Sequence, residues 1–268
     1  MQGDDRPFHL GFEEAPAHFE SASQKARVWT EQWVASTLFC PNCGAPRLDR
    51  LPNNNRAADF ACLSCTEEFE LKSQKGRFGR KVTDGAYEPL AAKLAARTNP
   101  NFILLNYDPR ILAVTNVLLV PRHFFTPTLI EKRRPLAATA RRAGWVGCNI
   151  LIERLPTAGK IALVERGEVR PRSEVLAAWR KTLFLQEASL SARGWLMEVM
   201  ELVDSFGGRE FTLADVYGFE DRLRLLYPGN RNVRPKIRQQ LQVLRDKKYL
   251  EFLGSGRYRA KLAAPDRI

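Results

Sequence analysis

Residues 58–73, ADFACLSCTEEFELKS, combine two kinds of side chain that bind metal ions in different ways. Asp59 precedes a Cys-x-x-Cys pair, and Glu70 and Lys72 follow it. Mg²⁺ prefers oxygen ligands such as carboxylates, and a lysine beside them can orient a water and offset charge developing on a phosphate. We therefore take Asp59, Glu70 and Lys72 as candidate catalytic residues, with Asp59 and Glu70 as Mg²⁺ ligands.

The segment that contains Glu70 alternates apolar and polar residues, as a half-buried strand does. Phe69 and Leu71 would lie on one face, and Glu70 and Lys72 on the other. If the short run around Asp59 pairs with this strand as a hairpin, the three polar side chains converge. The simpler interpretation is an exposed polar strand face, which is the commoner fate of a single Glu-x-Lys.

Four of the five cysteines form two Cys-x-x-Cys pairs: Cys40 with Cys43, and Cys62 with Cys65. The distance between the pairs along the chain is typical of a tetrahedral zinc site. We expect a structural Zn²⁺ bound by the four thiolates in a ribbon over about residues 38–66. Cys148 stands alone and is expected to be a small buried apolar residue.

The composition is that of a folded, basic protein. Of its 268 residues 44% are hydrophobic and 27% are charged, and the net charge is +12. This charge favours a polyanionic partner, with nucleic acid ahead of a membrane surface. The sequence has no apolar run long enough to span a membrane and begins without a signal peptide, so we expect a cytoplasmic protein.

Strands are mixed with helices over residues 1–187, which predicts an α/β domain. Helices are expected at residues 23–37, where Trp29 and Trp33 share a face, and at 84–98 and 173–185. Strands are expected at residues 101–108 and 113–120, and at 160–170 with a turn at Arg166-Gly167.

Residues 188–268 predict a second domain with the plan of a winged helix. Helices are expected at residues 191–206, 211–226 and 233–250, the last with Ile237, Leu241 and Leu244 on one face, followed by a hairpin at 250–260. The simpler interpretation of the excess of basic residues in this domain is a solvent-exposed face. We favour a recognition helix in the major groove and a wing on the backbone. The candidate DNA contacts are Arg234, Lys236, Arg238, Gln239, Arg257 and Tyr258.

Several stretches resemble the DpnI-like methyl-directed restriction endonucleases. They are SQKARVWTEQWV, CPNCG, ADFACLSCTEEFELKS, DGAY, ARRAGWVGCNI, SLSARGW and IRQQLQVLRDK, which together run from about Ser23 to about Tyr258. Asp59 and Glu70-Leu71-Lys72 resemble the PD-(D/E)xK nuclease motif, although Ala58 stands where that motif has proline.

The resemblance implies a PD-(D/E)xK endonuclease domain with an inserted zinc ribbon, followed by a winged-helix domain. It implies Mg²⁺-dependent double-strand cleavage of GATC sites that carry N6-methyladenine, in a bacterial cytoplasm, with the Leu71 carbonyl as a further Mg²⁺ ligand. The expected partner is methylated double-stranded DNA. We expect no membrane association and no obligatory protein partner, so the protein would act as a monomer.

Two basic stretches of the first domain are further candidates for DNA contacts. Lys75 and Arg77, after the catalytic strand, are placed to grip phosphates. The family uses an arginine-rich, tryptophan-ended loop to sense methylated adenine, which here contains Arg141, Arg142 and Trp145. An indole could cover the N6-methyl groups, which face the major groove. Alternatively, Trp145 is a buried core residue, the commoner outcome for tryptophan.

Two other functions compete with this prediction. One is a regulator that binds DNA through the zinc ribbon and winged helix without catalysis. The other is a nuclease that acts on unmodified DNA, which only the resemblance argues against.

Overall fold

The structure is a computed structural model that describes residues 8–12, 21–52 and 58–261. The outer limits predicted for the two domains, Met1 and Ile268, lie outside the described residues, as does part of the predicted zinc ribbon. In the described part of the chain no helix has the length and apolar character needed to cross a membrane.

The helices and strands are numbered separately in chain order. The helices are α1 (Ala22–Thr37), α2 (Tyr87–Ala96), α3 (Arg172–Arg180), α4 (Phe184–Glu187), α5 (Leu190–Ser205), α6 (Leu213–Tyr217), α7 (Glu220–Leu226) and α8 (Val233–Asp246). The strands are β1 (Asp49–Arg50), β2 (Phe60–Ala61), β3 (Glu68–Lys75), β4 (Val82–Ala86), β5 (Asn101–Asp108), β6 (Ala113–Val120), β7 (Ile130–Lys132), β8 (Gly147–Ile150), β9 (Ile161–Glu165), β10 (Glu168–Val169), β11 (Glu210–Thr212), β12 (Leu250–Gly254) and β13 (Arg257–Ala260).

The largest sheet has the strand order β1-β2-β3-β5-β6-β9-β10. Strands β3 and β5 are parallel, and the other neighbours in this sheet are antiparallel. Because helices accompany this mixed sheet, the predicted α/β class is confirmed. The strands expected at residues 101–108 and 113–120 are present as β5 and β6, and the predicted turn joins β9 to β10, with positive φ angles at Arg166 and Gly167.

Both faces of the large sheet are buried, as the sequence of β5 shows. Ile103 and Leu105 belong to a hydrophobic cluster that includes α1 and α3, with Trp33 and Trp179 as its large members. Phe102 and Leu104, which alternate with them, belong to a second cluster on the opposite face. A strand buried on both faces is continuously apolar, which is why this segment shows no polar alternation.

A second sheet, which we call the side sheet, has the order β4-β8-β7 and was not predicted. The prediction of a helix from residue 84 is wrong at its start, since the first three residues complete β4 and the helix begins at Tyr87. Asp84 is paired with Cys148 of β8. Pairing with a strand distant in sequence decided the conformation here, which local propensity could not reveal.

Two predicted helices are interrupted. The helix expected at residues 173–185 ends at Arg180, and α4 follows separately. The helix expected at 211–226 is wrong in its first part: Thr212 is the N-cap of α6, in a capping box with Asp215, and the residues before the helix form β11. That cap explains the late start, because an N-cap residue has extended rather than helical backbone. The predicted helix is also interrupted at Gly218 and Phe219, which separate α6 from α7.

The C-terminal region has the arrangement of a winged helix. Helices α5, α6, α7 and α8 precede the β12–β13 hairpin, and β11 joins that hairpin to give the sheet order β11-β13-β12. Ile237, Leu241 and Leu244 of α8 are fully buried, as their spacing predicts. The helix expected at 233–250 ends at Asp246, because Leu250 already belongs to β12.

Candidate active site and cysteine cluster

The predicted hairpin around Asp59 is present. Phe60 of β2 pairs with Phe69 of β3, and the Asp59 N–H donates to the Phe69 carbonyl over 3.0 Å. The Asp59 carboxylate in turn accepts from the Leu71 N–H over 2.7 Å. Hydrogen bonds to the main chain of β3 therefore hold both the backbone and the carboxylate of Asp59.

Glu70 and Lys72 lie on the face of β3 opposite the fully buried Phe69. The Lys72 Nζ lies 2.5 Å from Glu70 Oε1, and the two side chains are 19% and 23% exposed. The structure therefore brings Asp59, Glu70 and Lys72 to one end of the β2–β3 hairpin.

A third carboxylate, Asp84 of β4, completes this cluster. Its Oδ1 accepts from Lys72 Nζ over 2.5 Å, and its side chain is only 7% exposed. Sequence reasoning missed Asp84 because it was assigned to the first turn of a helix. The pattern Asp-Gly, which is unfavourable inside a helix or a strand, was the signal that could have raised attention.

The electrostatics of the cluster favour a charged lysine. Burial raises the pKa of the Glu70 carboxyl. The positive charge of Lys72 opposes this increase, and the negative charge of Asp84 adds to it. Burial lowers the pKa of Lys72, but the attraction of Glu70 and Asp84 outweighs it and leaves the pKa above its ordinary value. Lys72 is thus a cation shared by two carboxylates.

The donors at this end of the hairpin fit Mg²⁺. The carboxylates of Asp59 and Glu70 and the main-chain carbonyl of Leu71 are all oxygen donors, and all three residues are partly exposed. Mg²⁺ is bound in proteins by one or two carboxylates and keeps several waters, so a partly open site suits it.

The four paired cysteines form a separate cluster. Their sulfur atoms all lie within 4.8 Å of one another, with 3.6 Å between Cys40 and Cys65 and 3.6 Å between Cys43 and Cys62. A tetrahedron of sulfurs around Zn²⁺ at about 2.3 Å has edges of roughly 3.8 Å. The cluster therefore has the donor set and the size of a zinc site.

The second cysteine pair lies in the turn of the β2–β3 hairpin. The Cys62 N–H donates to the Glu67 carbonyl over 2.9 Å, and the Thr66 N–H donates to the Cys62 carbonyl over 2.8 Å. The first pair is attached to α3, where Trp179 Nε1 donates to Asn42 Oδ1 over 3.2 Å. The cysteine cluster thus joins α3 to the hairpin that carries Asp59 and Glu70.

Lys75 and Arg77 are both exposed. The basic stretch was predicted to follow the catalytic strand, but β3 continues as far as Lys75, because its pairing with β5 extends to Tyr107. Arg77 lies beyond the strand, where its carbonyl accepts from the Gln74 side chain. Both cations therefore project at the end of the strand that carries Glu70 and Lys72.

Residues 133–146, which we call the basic loop, connect β7 to β8 of the side sheet. Arg141 and Arg142 are exposed there, and the Arg142 guanidinium lies 4.8 Å from the centre of the Trp145 ring. The indole lies against Gly147, where a Cβ atom would come within 2.7 Å of it. Trp145 is half-buried and belongs to neither hydrophobic cluster, which argues against a core role.

The candidate DNA contacts of the C-terminal region lie on α8 and β13. Arg234 donates to Glu220 over 2.6 Å and stacks on Tyr217, and Lys236 donates to Gln239 over 2.8 Å.

The remaining C-terminal candidates differ in exposure. Arg238 is exposed, and Arg257 lies 3.9 Å from Glu210. Tyr258 is half-buried between the rings of Phe211 and Phe252. Among these candidates, Arg234 is held by an ion pair and a ring contact, and Tyr258 by two ring contacts.

Comparison with known protein families gives two matches that cover most of the chain. The model of the DpnI family, described as the Dam-replacing family, matches residues 9–188. The model of the Dam-replacing HTH domain matches residues 191–260.

Proposed function

The chain belongs to the DpnI, or Dam-replacing, family, and we propose on that premise that it cuts both strands of DNA at GATC sites carrying N6-methyladenine. Family membership supports a methylation-dependent restriction enzyme with a DNA-binding helix-turn-helix domain. The sequence specificity, the dependence on Mg²⁺ and the roles of individual residues are part of the proposal.

The observation that carries the proposal is the convergence of Asp59, Glu70 and Lys72 at one end of the β2–β3 hairpin. Two carboxylates beside a partly exposed ammonium suit phosphodiester hydrolysis, in which a water oxygen bonds to phosphorus and the bond to the leaving oxygen breaks. An ammonium held 2.5 Å from a carboxylate at this position fits catalysis, whereas a regulator that only binds DNA does not require it.

Each residue then has a role that follows from its position. Asp59, Glu70 and the Leu71 carbonyl would hold Mg²⁺, which when bound supplies Lewis acidity and lowers the pKa of a bound water. Lys72 would orient the attacking water and offset negative charge on the phosphate oxygens. The hydrogen bond from the Leu71 N–H fixes the Asp59 carboxylate before DNA binds.

The basic loop is the proposed reader of methylated adenine. In GATC the two adenines lie in adjacent base pairs on opposite strands, so their N6-methyl groups are close together in the major groove. The Trp145 indole offers a flat apolar surface that could cover both. Arg141 and Arg142 beside it would hold the loop against the phosphates.

The two-domain organisation belongs to the same proposal. Residues 1–187 would form the nuclease domain and residues 188–268 the winged helix, with α8 as its recognition helix and β12–β13 as its wing. Lys75 and Arg77 would contact phosphates beside the cut, and Arg234, Lys236, Arg238, Gln239, Arg257 and Tyr258 would contact DNA from the winged helix. We propose that a monomer suffices, without a protein partner.

The test compares two plasmids of the same sequence, one methylated at its GATC adenines and one unmethylated. Wild-type protein with Mg²⁺ should cut the methylated plasmid alone, and the Glu70→Gln variant should bind it without cutting. Equal cleavage of both plasmids would favour a nuclease for unmodified DNA. Binding without cleavage by wild type would favour the regulator.

A further inference from the structure

Asp84 is an almost buried carboxylate that has no part in the proposed mechanism. Its Oδ1 accepts from Lys72 Nζ over 2.5 Å and from the Gly85 N–H over 2.7 Å. The backbone contact fixes the carboxylate on β4, so Asp84 is a rigid partner for a flexible lysine.

Glu70 faces two competing demands at this centre. As a metal ligand it must offer its carboxylate oxygens to Mg²⁺, yet Glu70 Oε1 accepts from Lys72. A second acceptor for the ammonium removes the conflict, because Lys72 then keeps a partner when Glu70 turns to the metal. Asp84 is placed to be that acceptor, because it contacts Nζ from β4 rather than from β3.

The three carboxylates of this centre do not gather around one point as the cysteine sulfurs do. In the described part of the chain, the cysteines are the only His, Cys, Asp or Glu side chains whose ligand atoms lie within 4.8 Å of one another in a group of three or more. Asp59, Glu70 and Asp84 do not form such a group, and the Lys72 ammonium contacts both Glu70 and Asp84.

Asp84 also connects this centre to the basic loop. In the side sheet Asp84 pairs with Cys148, the residue next to the Gly147 on which the Trp145 indole lies. The Tyr87 N–H, just after β4, donates to the Val146 carbonyl over 3.1 Å. The ammonium is thus held by the same sheet that anchors the proposed methyl reader.

We propose that Asp84 is a positioning residue that holds the Lys72 ammonium from the side sheet and so leaves Glu70 available to the catalytic metal. This inference rests on the proposed function, since it assigns Asp84 a part in that same site. It predicts that Asp84 matters for metal binding only while Lys72 is present.

The test measures binding of Mn²⁺, which takes the same oxygen ligands as Mg²⁺. Free Mn²⁺ is followed by electron paramagnetic resonance in wild type, Asp84→Asn, Lys72→Met and the double variant, all zinc-loaded and without DNA. Asp84→Asn should weaken Mn²⁺ binding about 10-fold or more, the scale for loss of an outer-shell partner. In the Lys72→Met background the same change should have no further effect, because no ammonium remains to occupy Glu70.

A matched control is Glu131→Gln, which removes a carboxylate from β7 of the side sheet that pairs with exposed Lys81 over 2.7 Å. It should leave Mn²⁺ binding unchanged. Asp84→Glu keeps the charge and should restore part of the affinity. Melting temperatures near wild type for Asp84→Asn would show that the effect is local.

The result that overturns the inference is an equal loss in both backgrounds, which would make Asp84 a metal ligand. Unchanged Mn²⁺ binding by Asp84→Asn would overturn it as well. Wild type that binds Mn²⁺ but cuts neither plasmid would instead overturn the proposed function, and the comparison of the variants would still decide the role of Asp84.

Discussion

The Leu71 N–H donates to the Asp59 carboxylate over 2.7 Å across the open end of a hairpin whose turn carries Cys62 and Cys65. Asp59 comes just before β2 and Leu71 lies in β3, so their contact depends on the pairing of this hairpin. Strand β2 has only two residues and cannot supply that stability alone. Metal binding in the turn would supply folding free energy that such a short segment lacks.

We therefore expect zinc removal to abolish cleavage even when Mg²⁺ is abundant. Without metal the turn loosens, and Asp59 loses its fixed position opposite Leu71. The zinc content of the purified protein should be about one ion per chain. It should fall in Cys62→Ser and remain in Cys148→Ala, whose cysteine lies outside the cluster. Full cleavage by zinc-free protein supplied with Mg²⁺ alone would refute this coupling.

The proposed catalytic residues should be needed for cleavage but not for binding. Asp59→Ala, Glu70→Ala and Lys72→Ala should each lower the single-turnover rate about 100-fold or more, because each removes a metal ligand or charge stabilisation. Binding to methylated DNA, measured with Ca²⁺ in place of Mg²⁺, should stay near wild type. Glu131→Gln is the control for both assays, and undiminished cutting by Glu70→Ala would show that the active site lies elsewhere.

Neutralising Lys75 and Arg77 together should weaken binding to all DNA. Fewer counterions would be released, so the slope of log affinity against log salt should fall by about 1 for each cation removed. The ratio of affinities for methylated and unmethylated DNA should hardly change. If that ratio collapses, these residues read bases, and the assignment to phosphates is wrong.

Trp145→Ala should reduce methyl selectivity with little loss of stability, because the indole is half-buried on a loop. We expect a loss of about 1–3 kcal/mol of discrimination, the scale for a base contact in the major groove. Gly147→Ala should act in the same direction, since its Cβ would come within 2.7 Å of the indole and displace it.

The measurement for Trp145 is the cleavage rate on methylated and unmethylated duplexes, together with thermal unfolding. Cleavage is preferred to binding because the winged helix can retain methyl preference of its own. Unchanged selectivity in both variants would rule out Trp145 as the reader. A sharp fall in melting temperature with equal losses on both duplexes would return Trp145 to a structural role.

Stability should decrease in mild acid through His123. Its Nε2 lies 2.8 Å from Thr182 Oγ1, which itself donates to the Trp179 carbonyl, so Nε2 carries the proton and Nδ1 has no partner. Burial, and then the charges of Arg193 and Arg122, lower the pKa of His123 from 6.5 to about 3. Below pH 6.5 the unfolded chain therefore binds a proton at His123, whereas the folded chain binds that proton only near pH 3.

The contribution of His123 is thus complete above pH 6.5 and is lost as the pH falls toward 3. His123→Gln should reduce the slope of unfolding free energy against pH between these limits by up to about 1.4 kcal/mol per pH unit. Denaturant unfolding at several pH values measures this slope. His9→Gln, at an exposed histidine, is the control, and identical slopes for His123→Gln and wild type would contradict the prediction.

Short-range patterns predicted the parts of the fold that depend on neighbours in sequence. The alternation around Phe69 placed Glu70 and Lys72 on one face of β3, and the spacing of Ile237, Leu241 and Leu244 gave the buried face of α8. The turn at Arg166-Gly167 was also visible in the sequence. The two helices predicted to start too early failed where a strand partner distant in sequence won over local propensity, at β4 and β11.

The sequence by itself determined which chemistry is possible here, because the residue types and spacings of Asp59, Glu70, Lys72 and the four paired cysteines fix the available donors. Only the tertiary structure decided what surrounds them. Asp84 reaches Lys72 because β4 pairs with β8, and Trp145 lies against Gly147 because the same strand closes the basic loop. Such contacts depend on sheet pairing between segments more than 60 residues apart, which no local pattern in the chain encodes.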